Sequence, residues 1–454
     1  MKDNTADTIA AIATASGAGA VAIVRVSGTD ALTIAEKIAG GDLEPRMATL
    51  RSLRAADGEV IDTGIVLCFP GPASYTGEDL VEFQIHGGAV VSEWLLAAVL
   101  GAGARAANPG EFTLRAFLND KLDLAQAEAV ADLVASQSRA AAGAARRSLT
   151  GRFSARVTVV QARLTALRVQ LEAHLDFPDE EIEPDDIAKM AASLNDALDE
   201  LARLQSEARS GVVLRDGLSV AIAGLPNAGK SSLLNMLTGY DAAIVTDVPG
   251  TTRDPLREQI VLDGLPVQIV DTAGLRDTDD PIEREGTARA RGETAKADVV
   301  LWLHDAREGE AAARTAAMQH LRERDNVTIV LNKIDLLNAS AATAEDGDAS
   351  SDASACLCIC ALSGAGIDGL IAHLREAAGW REGSEGTFTA RRRHVDALER
   401  AHAHIVAAQT PLANQPELAA EELRQAQTAL GEITGEFTSD DLLGEIFSSF
   451  CIGK

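Results

Sequence analysis

The sequence has no run of about 18 apolar residues, and its opening Met-Lys-Asp-Asn-Thr-Ala has no signal-peptide core. An ordinary membrane-spanning helix is thereby excluded, and the chain is expected to be soluble and cytoplasmic. Cysteine is scarce. The five cysteines, at 68, 356, 358, 360 and 451, make no disulfide framework, which fits a reducing compartment. Three of them alternate in Cys356-Leu-Cys-Ile-Cys360, and period two predicts all three sulfurs on one face of a strand. Free cysteine there acts as a small hydrophobe, whereas tetrahedral metal sites generally use turn spacing such as C-x-x-C. Basic residues are also few, 41 against 68 acidic, for a net charge of −27. That balance argues against broad nonspecific nucleic-acid binding, which wants a basic surface. Local basic clusters do exist at Arg391-Arg-Arg-His394 and at Arg146-Arg147 with Arg152 and Arg156. Each could equally be a solvated helix face.

What is present is most specific at Gly224-Leu-Pro-Asn227-Ala228-Gly229-Lys230-Ser231-Ser232, a complete G-x-x-x-x-G-K-S loop. Residues 218–223 before it are apolar and suit a buried strand. Residues 232–237 after it suit a helix. Strand, glycine loop and helix N-terminus together are the context the motif requires. The loop amides can point at phosphate oxygens, and the helix N-terminus adds partial positive charge. Lys230 can reach the β- and γ-phosphates, and the Ser231 hydroxyl can ligate Mg²⁺.

The base follows from Asn332-Lys333-Ile334-Asp335, which closes another β-branched run at 327–331. A carboxylate such as Asp335 can accept from the N1–H and N2–H₂ edge of guanine; adenine would leave it unpaired. Asn332 suits guanine N7 and O6, and the Lys333 stem can cover the ring. Between the two motifs stands Asp271-Thr272-Ala273-Gly274, after a strand-like run at 266–270. Asp271 suits a carboxylate that holds Mg²⁺ through water, and Gly274 can offer its amide to the γ-phosphate. Upstream, Thr246-Asp247-Val248-Pro249-Gly250-Thr251-Thr252 supplies a threonine that can close onto Mg²⁺ and γ-phosphate. Such segments order around the γ-phosphate and loosen when it leaves. The glutamine that many GTPases carry after Asp-Thr-Ala-Gly is missing. Leu275 stands there and cannot orient water, which leaves Arg276 and Glu283 as the near polar candidates.

Three further segments carry a resemblance. They are Tyr75-Thr-Gly-Glu-Asp-Leu-Val-Glu-Phe-Gln-Ile-His-Gly-Gly88, the run from Asn108-Pro-Gly-Glu-Phe to Leu-Ala-Gln-Ala-Glu128, and the terminal Phe450-Cys-Ile-Gly-Lys454. With the nucleotide motifs, they make nearly the whole chain resemble the MnmE (TrmE) family of bacterial tRNA-modification GTPases. The resemblance implies a K⁺ ion in place of an arginine finger. Its matching positions are Asn227, the carbonyls of Thr246 and Val248, and Thr251. It implies Ser231 and Thr252 as Mg²⁺ ligands and Glu283 as the water-orienting residue. A cation between the phosphates would offset charge developing in a loose transition state. Where the family usually has Ser-Ala in the last base-binding loop, this chain has Cys360-Ala361. Backbone contacts to guanine O6 would survive that change; a hydroxyl-specific contact would not.

The family's N-terminal domain resembles tetrahydrofolate-binding proteins and forms a constitutive homodimer. Carried over, that implies Arg25, Glu82, Lys121 and Lys454 as contacts for a 5-formyl- or methylene-tetrahydrofolate. Cations suit the glutamate tail, and a carboxylate suits the pterin's donor edge. His86, in the turn His86-Gly-Gly88, reads as a satisfied structural histidine. Cys451 near Lys454 is a candidate nucleophile or redox group, provided the tail folds back towards this pocket.

The layout follows. Residues 1–118 mix short β-branched runs with a helix near 92–100 and read as an α+β folate-binding-like domain. Residues 119–215 have helical periodicity and form the first half of an all-α domain. Residues 216–379 are the α/β P-loop (Ras-like) domain, and 380–454 resume the helical pattern, interrupted around 411–416. The simplest topology inserts the P-loop domain into the helical one. Residues 339–355 are a low-complexity Ala/Ser/Asp stretch and read as a loop.

Two functions stay open at this stage. One is a GTPase that drives C5 modification of the wobble uridine in certain tRNAs. In the family this requires an MnmG (GidA)-type flavoprotein, using FAD and NADH, in a heterotetramer. The other is a regulatory switch, for instance in ribosome assembly, with no small-molecule donor. The folate-like motifs and the Cys-Ile-Gly-Lys tail favour the first.

Overall fold

The computed structural model describes residues 7–136, 138–176, 184–239, 257–271, 297–321, 324, 326–337, 356–379, 388–412, 414–437 and 440–453. Its contacts divide the chain into two compact units. Unit 1 holds residues 1–134, 148–201 and 396–454, and unit 2 holds 135–147 and 202–395.

Unit 1 is built on a six-stranded sheet in the order β3-β4-β5-β2-β1-β6. The strands are β1 (Ile9–Ile12), β2 (Val21–Ser27), β3 (Thr49–Arg54), β4 (Val60–Phe69), β5 (Leu80–His86) and β6 (Arg105–Ala106). Neighbours run antiparallel except β1 and β6. Alternation decides the two faces. Val24, Val26, Leu53, Val66, Phe83 and Ile85 turn inward and form a core with the helices Ala31–Ala39 and Ala89–Gly101. On the other face Leu50, Ile65, Gln84 and Ile23 stand in one cross-strand row, with Leu50 69% exposed and Ile65 37% exposed. At the β1 end, Ile9, Ala11, Ala107 and Phe112 make a second small core, so the helix Glu111–Leu118 covers that end.

That helix is tied down by charge. Arg115, 2% exposed, reaches Asp7 at 2.6 Å, Glu78 at 3.0 Å and Glu111 at 3.2 Å. Arg115 keeps two carboxylates when any one is removed, so each acid contributes only part of the roughly 3–5 kcal/mol lost when a buried pair is broken outright. The remaining helices of unit 1 pack along apolar stripes. Arg152–Asp176 lies against Pro416–Thr434, and Asp440–Ser448 contributes Leu443, Ile446 and Phe447 to a cluster with Leu124 and Ala127.

Unit 2 has a second six-stranded sheet in the order β12-β11-β10-β7-β9-β8. Its strands are β7 (Leu218–Gly224), β8 (Arg257–Leu262), β9 (Leu265–Asp271), β10 (Val299–Asp305), β11 (Val327–Asn332) and β12 (Cys356–Ile359). All pairings are parallel except β8 with β9. The central strands β7, β10 and β11 are near-continuous apolar runs because both their faces are covered. One core contains Leu301, Leu303, Val330 and Ile371, the other Trp302, Ile329 and Ala313. Strand order reverses beside β7, and ligands of such sheets bind outside the carboxyl ends of the strands at that point.

The alternating cysteines depart from expectation. β12 ends at Ile359, so only Cys356 and Cys358 lie on the strand. Cys360 N donates to Ala365 O at 2.8 Å and Gly364 N to Cys360 O at 2.9 Å, closing a tight loop that turns Cys360 inward. Cys360 is buried, Cys356 half-buried and Cys358 exposed, so the three do not share one environment. Burial pushes the Cys356 thiol up to about 11.

Candidate functional site

Four described loops, after β7, β10, β11 and β12, meet at the carboxyl end of the unit 2 sheet. The first follows β7 and leads into the helix Lys230–Gly239. Asn227 adopts φ +64° and Gly229 φ +100°. A non-glycine residue in the left-handed region costs of order 1–3 kcal/mol and persists only where its surroundings demand it. At Gly229 a Cβ would collide with the Asn332 amide, so only glycine lets the loop approach β11 this closely. Ala228 is buried and Asn227 and Ser231 are exposed. The Lys230 ammonium donates to the carbonyls of Gly224 at 2.9 Å and Leu225 at 3.1 Å, across the mouth of the loop.

The second loop leaves β11. Asn332 is 1% exposed, and both ends of its amide serve the protein. Nδ2 donates to Ala228 O at 2.8 Å, and Oδ1 accepts from Ala361 N at 3.0 Å. Asn332 therefore clamps the phosphate loop to the loop after β12, leaving one N–H and one lone pair for a base. Lys333 has φ +66° and donates to Asp305 at 3.0 Å. Asp335 is exposed and accepts from the Cys360 thiol at 3.1 Å. Cys360 thus supplies the donor for which a serine hydroxyl would be the ordinary choice, and the S–H donor is weaker.

The strand β9 ends at the same edge of the sheet. Asp271 ends that strand and pairs in register with Ile222, beside the phosphate loop. The segments with Thr246, Asp247, Val248, Pro249, Gly250, Thr251 and Thr252, and with Thr272, Ala273, Gly274, Arg276 and Glu283, lie outside the described residues, as do residues 339–355. The third loop follows β10, and the fourth, after β12, carries Cys360 and Ala361. Hydrogen bonds from the Arg307 guanidinium, helped by Lys333, hold the Asp305 carboxyl well below the usual carboxylate range. Sequence reasoning missed Asp305, although an acid closing an apolar strand is a visible signal.

In unit 1, Arg25 and Glu82 are paired directly across β2 and β5. The Arg25 guanidinium also lies 5.7 Å from the ring centroids of Tyr75 and Phe112. Its Nη1 approaches Gly453 O at 3.4 Å, and Gly110 N approaches Cys451 O at 3.4 Å. Gly453 has φ +96°, and a Cβ there would strike Ile12 O, so glycine permits the tail to lie against β1. Cys451 is exposed, and Lys454 lies outside the described residues. Lys121 donates to Pro72 O at 3.0 Å and, with Asn119, anchors the loop between β4 and β5. The His86 side chain is 79% exposed, and its Nδ1 pairs with Asp62 at 2.9 Å, so the ring is satisfied at the surface. Of the basic residues considered for RNA, Arg156 is bound to Glu200 at 2.8 Å, Arg392 lies 3.9 Å from Asp298, and His394 is buried.

The comparisons with known proteins agree along the chain. Residues 8–121 match the family model for the GTP-binding protein TrmE N-terminus, and residues 124–451 match that for the MnmE helical domain. A tRNA modification GTPase MnmE of Nitrosococcus oceani is 51% identical over 450 residues, covering 99% of this chain and 97% of that protein. Its counterpart in Pseudomonas entomophila is 52% identical over 454 residues, covering 99% of each. That of Stutzerimonas stutzeri is 51% identical over 454 residues, again covering 99% of each. With a phosphate loop, a guanine-type loop and an N-terminal sheet domain all in place, the chain belongs to the MnmE family of tRNA modification GTPases.

Proposed function

We propose that this GTPase uses its cycle to drive C5 modification of the wobble uridine, position 34, in certain tRNAs. The one-carbon unit comes from a tetrahydrofolate derivative, and an MnmG (GidA)-type flavoprotein with FAD and NADH acts alongside it. The added group is of the carboxymethylaminomethyl or aminomethyl type. The observation that carries this reading beyond GTP hydrolysis is the meeting of Arg25, Glu82 and the Cys451–Gly453 tail in unit 1. A switch without donor chemistry has no use for a charged pair, two aromatic rings and an exposed thiol-bearing tail gathered there.

In the nucleotide site, Asp335 reads the guanine edge while Asn332 braces the loops and Lys333 covers the ring. Ser231 and Thr252 are the residues to hold Mg²⁺, and Asn227, Thr246, Val248 and Thr251 those to hold K⁺. Asn227 and Ser231 are exposed in the same loop as Lys230, which fits that role. When bound, the cations supply positive charge that offsets charge developing on the phosphates. Glu283 orients water, with Arg276 the second candidate. For the donor, Glu82 faces the pterin edge, and Arg25, Lys121 and Lys454 take the glutamate tail. The partly apolar row Leu50, Ile65 and Ile23 supports a homodimer through the open sheet face. We keep the division at 1–118, 119–215, 216–379 and 380–454, and a cytoplasmic location.

The test is mass spectrometry of tRNA nucleosides from a deletion strain complemented with the wild-type chain or with Cys451→Ser. The wild type should restore the modified wobble uridine, and Cys451→Ser should not. Normal nucleosides in the deletion strain would reject the reading. Normal nucleosides with Cys451→Ser would remove only that thiol from the mechanism.

A further inference from the structure

Asp305 is a strand-end carboxylate that accepts four hydrogen bonds from Arg307 and Lys333. It closes β10 and is the register partner of Asn332, which closes β11. Its Oδ1 accepts from Arg307 N at 3.1 Å, capping the short 3-10 turn Ala306–Glu308, and from Arg307 Nε at 2.9 Å. Its Oδ2 accepts from Arg307 Nη2 at 2.7 Å and from Lys333 Nζ at 3.0 Å. Arg307 thereby fixes the plane of the carboxylate, with Oδ2 directed at Lys333.

Lys333 needs such an anchor. A lysine side chain has four rotatable bonds, and its stem can shield the face of a base only if held in one conformation. Its backbone already sits at φ +66°, a conformation that lysine adopts only under constraint. The side chains of Lys333 and Asp305 are 26% and 11% exposed, so the ammonium is partly withdrawn from water and paired. We propose that Asp305 is a positioning residue for guanine-nucleotide binding, holding the Lys333 stem extended over the base through its ammonium. The inference rests on the reading of Asn332–Asp335 as the base-binding loop. In that arrangement Asp305 touches no part of the nucleotide. Its effect on affinity passes entirely through Lys333, and losing the anchor frees the stem to leave the base. Dissociation should therefore quicken more than association slows.

A double-mutant cycle on the full chain tests this, with N-methylanthraniloyl-GDP as the probe and stopped-flow fluorescence as the readout. Asp305→Ala should raise the Kd about tenfold, mainly through faster dissociation, the expected scale for freeing one long side chain. Lys333→Ala should raise it at least as much, and the double variant should bind no worse than Lys333→Ala alone. A merely structural Asp305 would give additive losses instead. Asp305→Asn keeps an oxygen to cap Arg307 N but removes the charge from Lys333, so it should weaken binding with the turn intact. The proposal is overturned by wild-type affinity in both Asp305 variants, or by additive losses in the double variant. Wild-type affinity in Lys333→Ala would overturn it together with the base-loop reading. An effect of Lys333→Ala with none from Asp305 would overturn this inference alone.

Discussion

Arg25 and Glu82 face each other in register on β2 and β5, and Glu82 Oε1 accepts from Arg25 Nε at 3.0 Å and Nη2 at 2.8 Å. The side chains are 21% and 16% exposed, so water reaches the pair. A partly buried ion pair loses nearly as much in desolvation as it gains in attraction, so stability alone is a weak reason for this one. Glu82→Gln and Arg25→Ala should each weaken 5-formyl-tetrahydrofolate binding by about tenfold or more, the scale for unpairing a group that meets a ligand. Isothermal titration calorimetry would measure it, and unchanged affinity in both variants would remove the pair from the donor site.

Asn227 stands in the left-handed region at the exposed tip of the phosphate loop. GTP turnover should be several-fold faster in KCl than in NaCl at equal ionic strength, roughly the gain expected from one added charge at the phosphates. Asn227→Ala should abolish the difference between the salts. Equal rates for the wild type, or full K⁺ stimulation in the variant, would count against the assignment.

The Cys360 thiol donates to Asp335 Oδ1 at 3.1 Å. Cys360→Ser replaces a weak donor by a strong one in the same place and should leave GTP affinity equal or somewhat higher. Cys360→Ala deletes the donor and should weaken it by about threefold to tenfold, the effect of one hydrogen bond. Asp335→Asn should lose GTP affinity strongly and gain xanthosine triphosphate, whose C2 carbonyl can accept from the new amide. Nucleotide titrations that find Asp335→Asn still selective for GTP would contradict the base-edge reading.

Acid should loosen the helix Glu111–Leu118. Burial alone would raise the Glu111 pKa, but hydrogen bonds from Arg105 and Asn108 N, with the nearby charges, bring it below its usual value. Asp7 is likewise lowered against the effect of burial, by Arg105 and Arg115. Both are depressed in the folded state, so their stabilisation is complete above the unfolded pKa values, about 4, and is lost as pH falls through the folded ones. Hydrogen exchange in this helix, corrected for intrinsic rates, should show protection falling below pH of about 4. Glu111→Gln should be less protected at pH 7 and lose less on acidification. A wild-type helix equally protected at pH 7 and pH 3 would show that the network carries no such linkage.

The sequence by itself determined the local elements of the nucleotide site. Strand, glycine loop and helix at 218–239 are contiguous, and the β-branched runs ending at Asp271 and Asn332 declare their strands without help from distant residues. The resemblance of three separate segments was legible for the same reason: each is a short contiguous pattern. Only the tertiary structure decided the partners. Asn332 clamps residues 104 and 29 positions away, Lys333 finds Asp305, and Arg25 meets Gly453 at a separation of 428. It also turned Cys360 out of the strand alternation, where periodicity pointed elsewhere. Periodicity reports which way a side chain faces within its own element. Which groups share a hydrogen bond depends on strand order and on loops closing over long separations, and that is settled only when the whole sheet assembles.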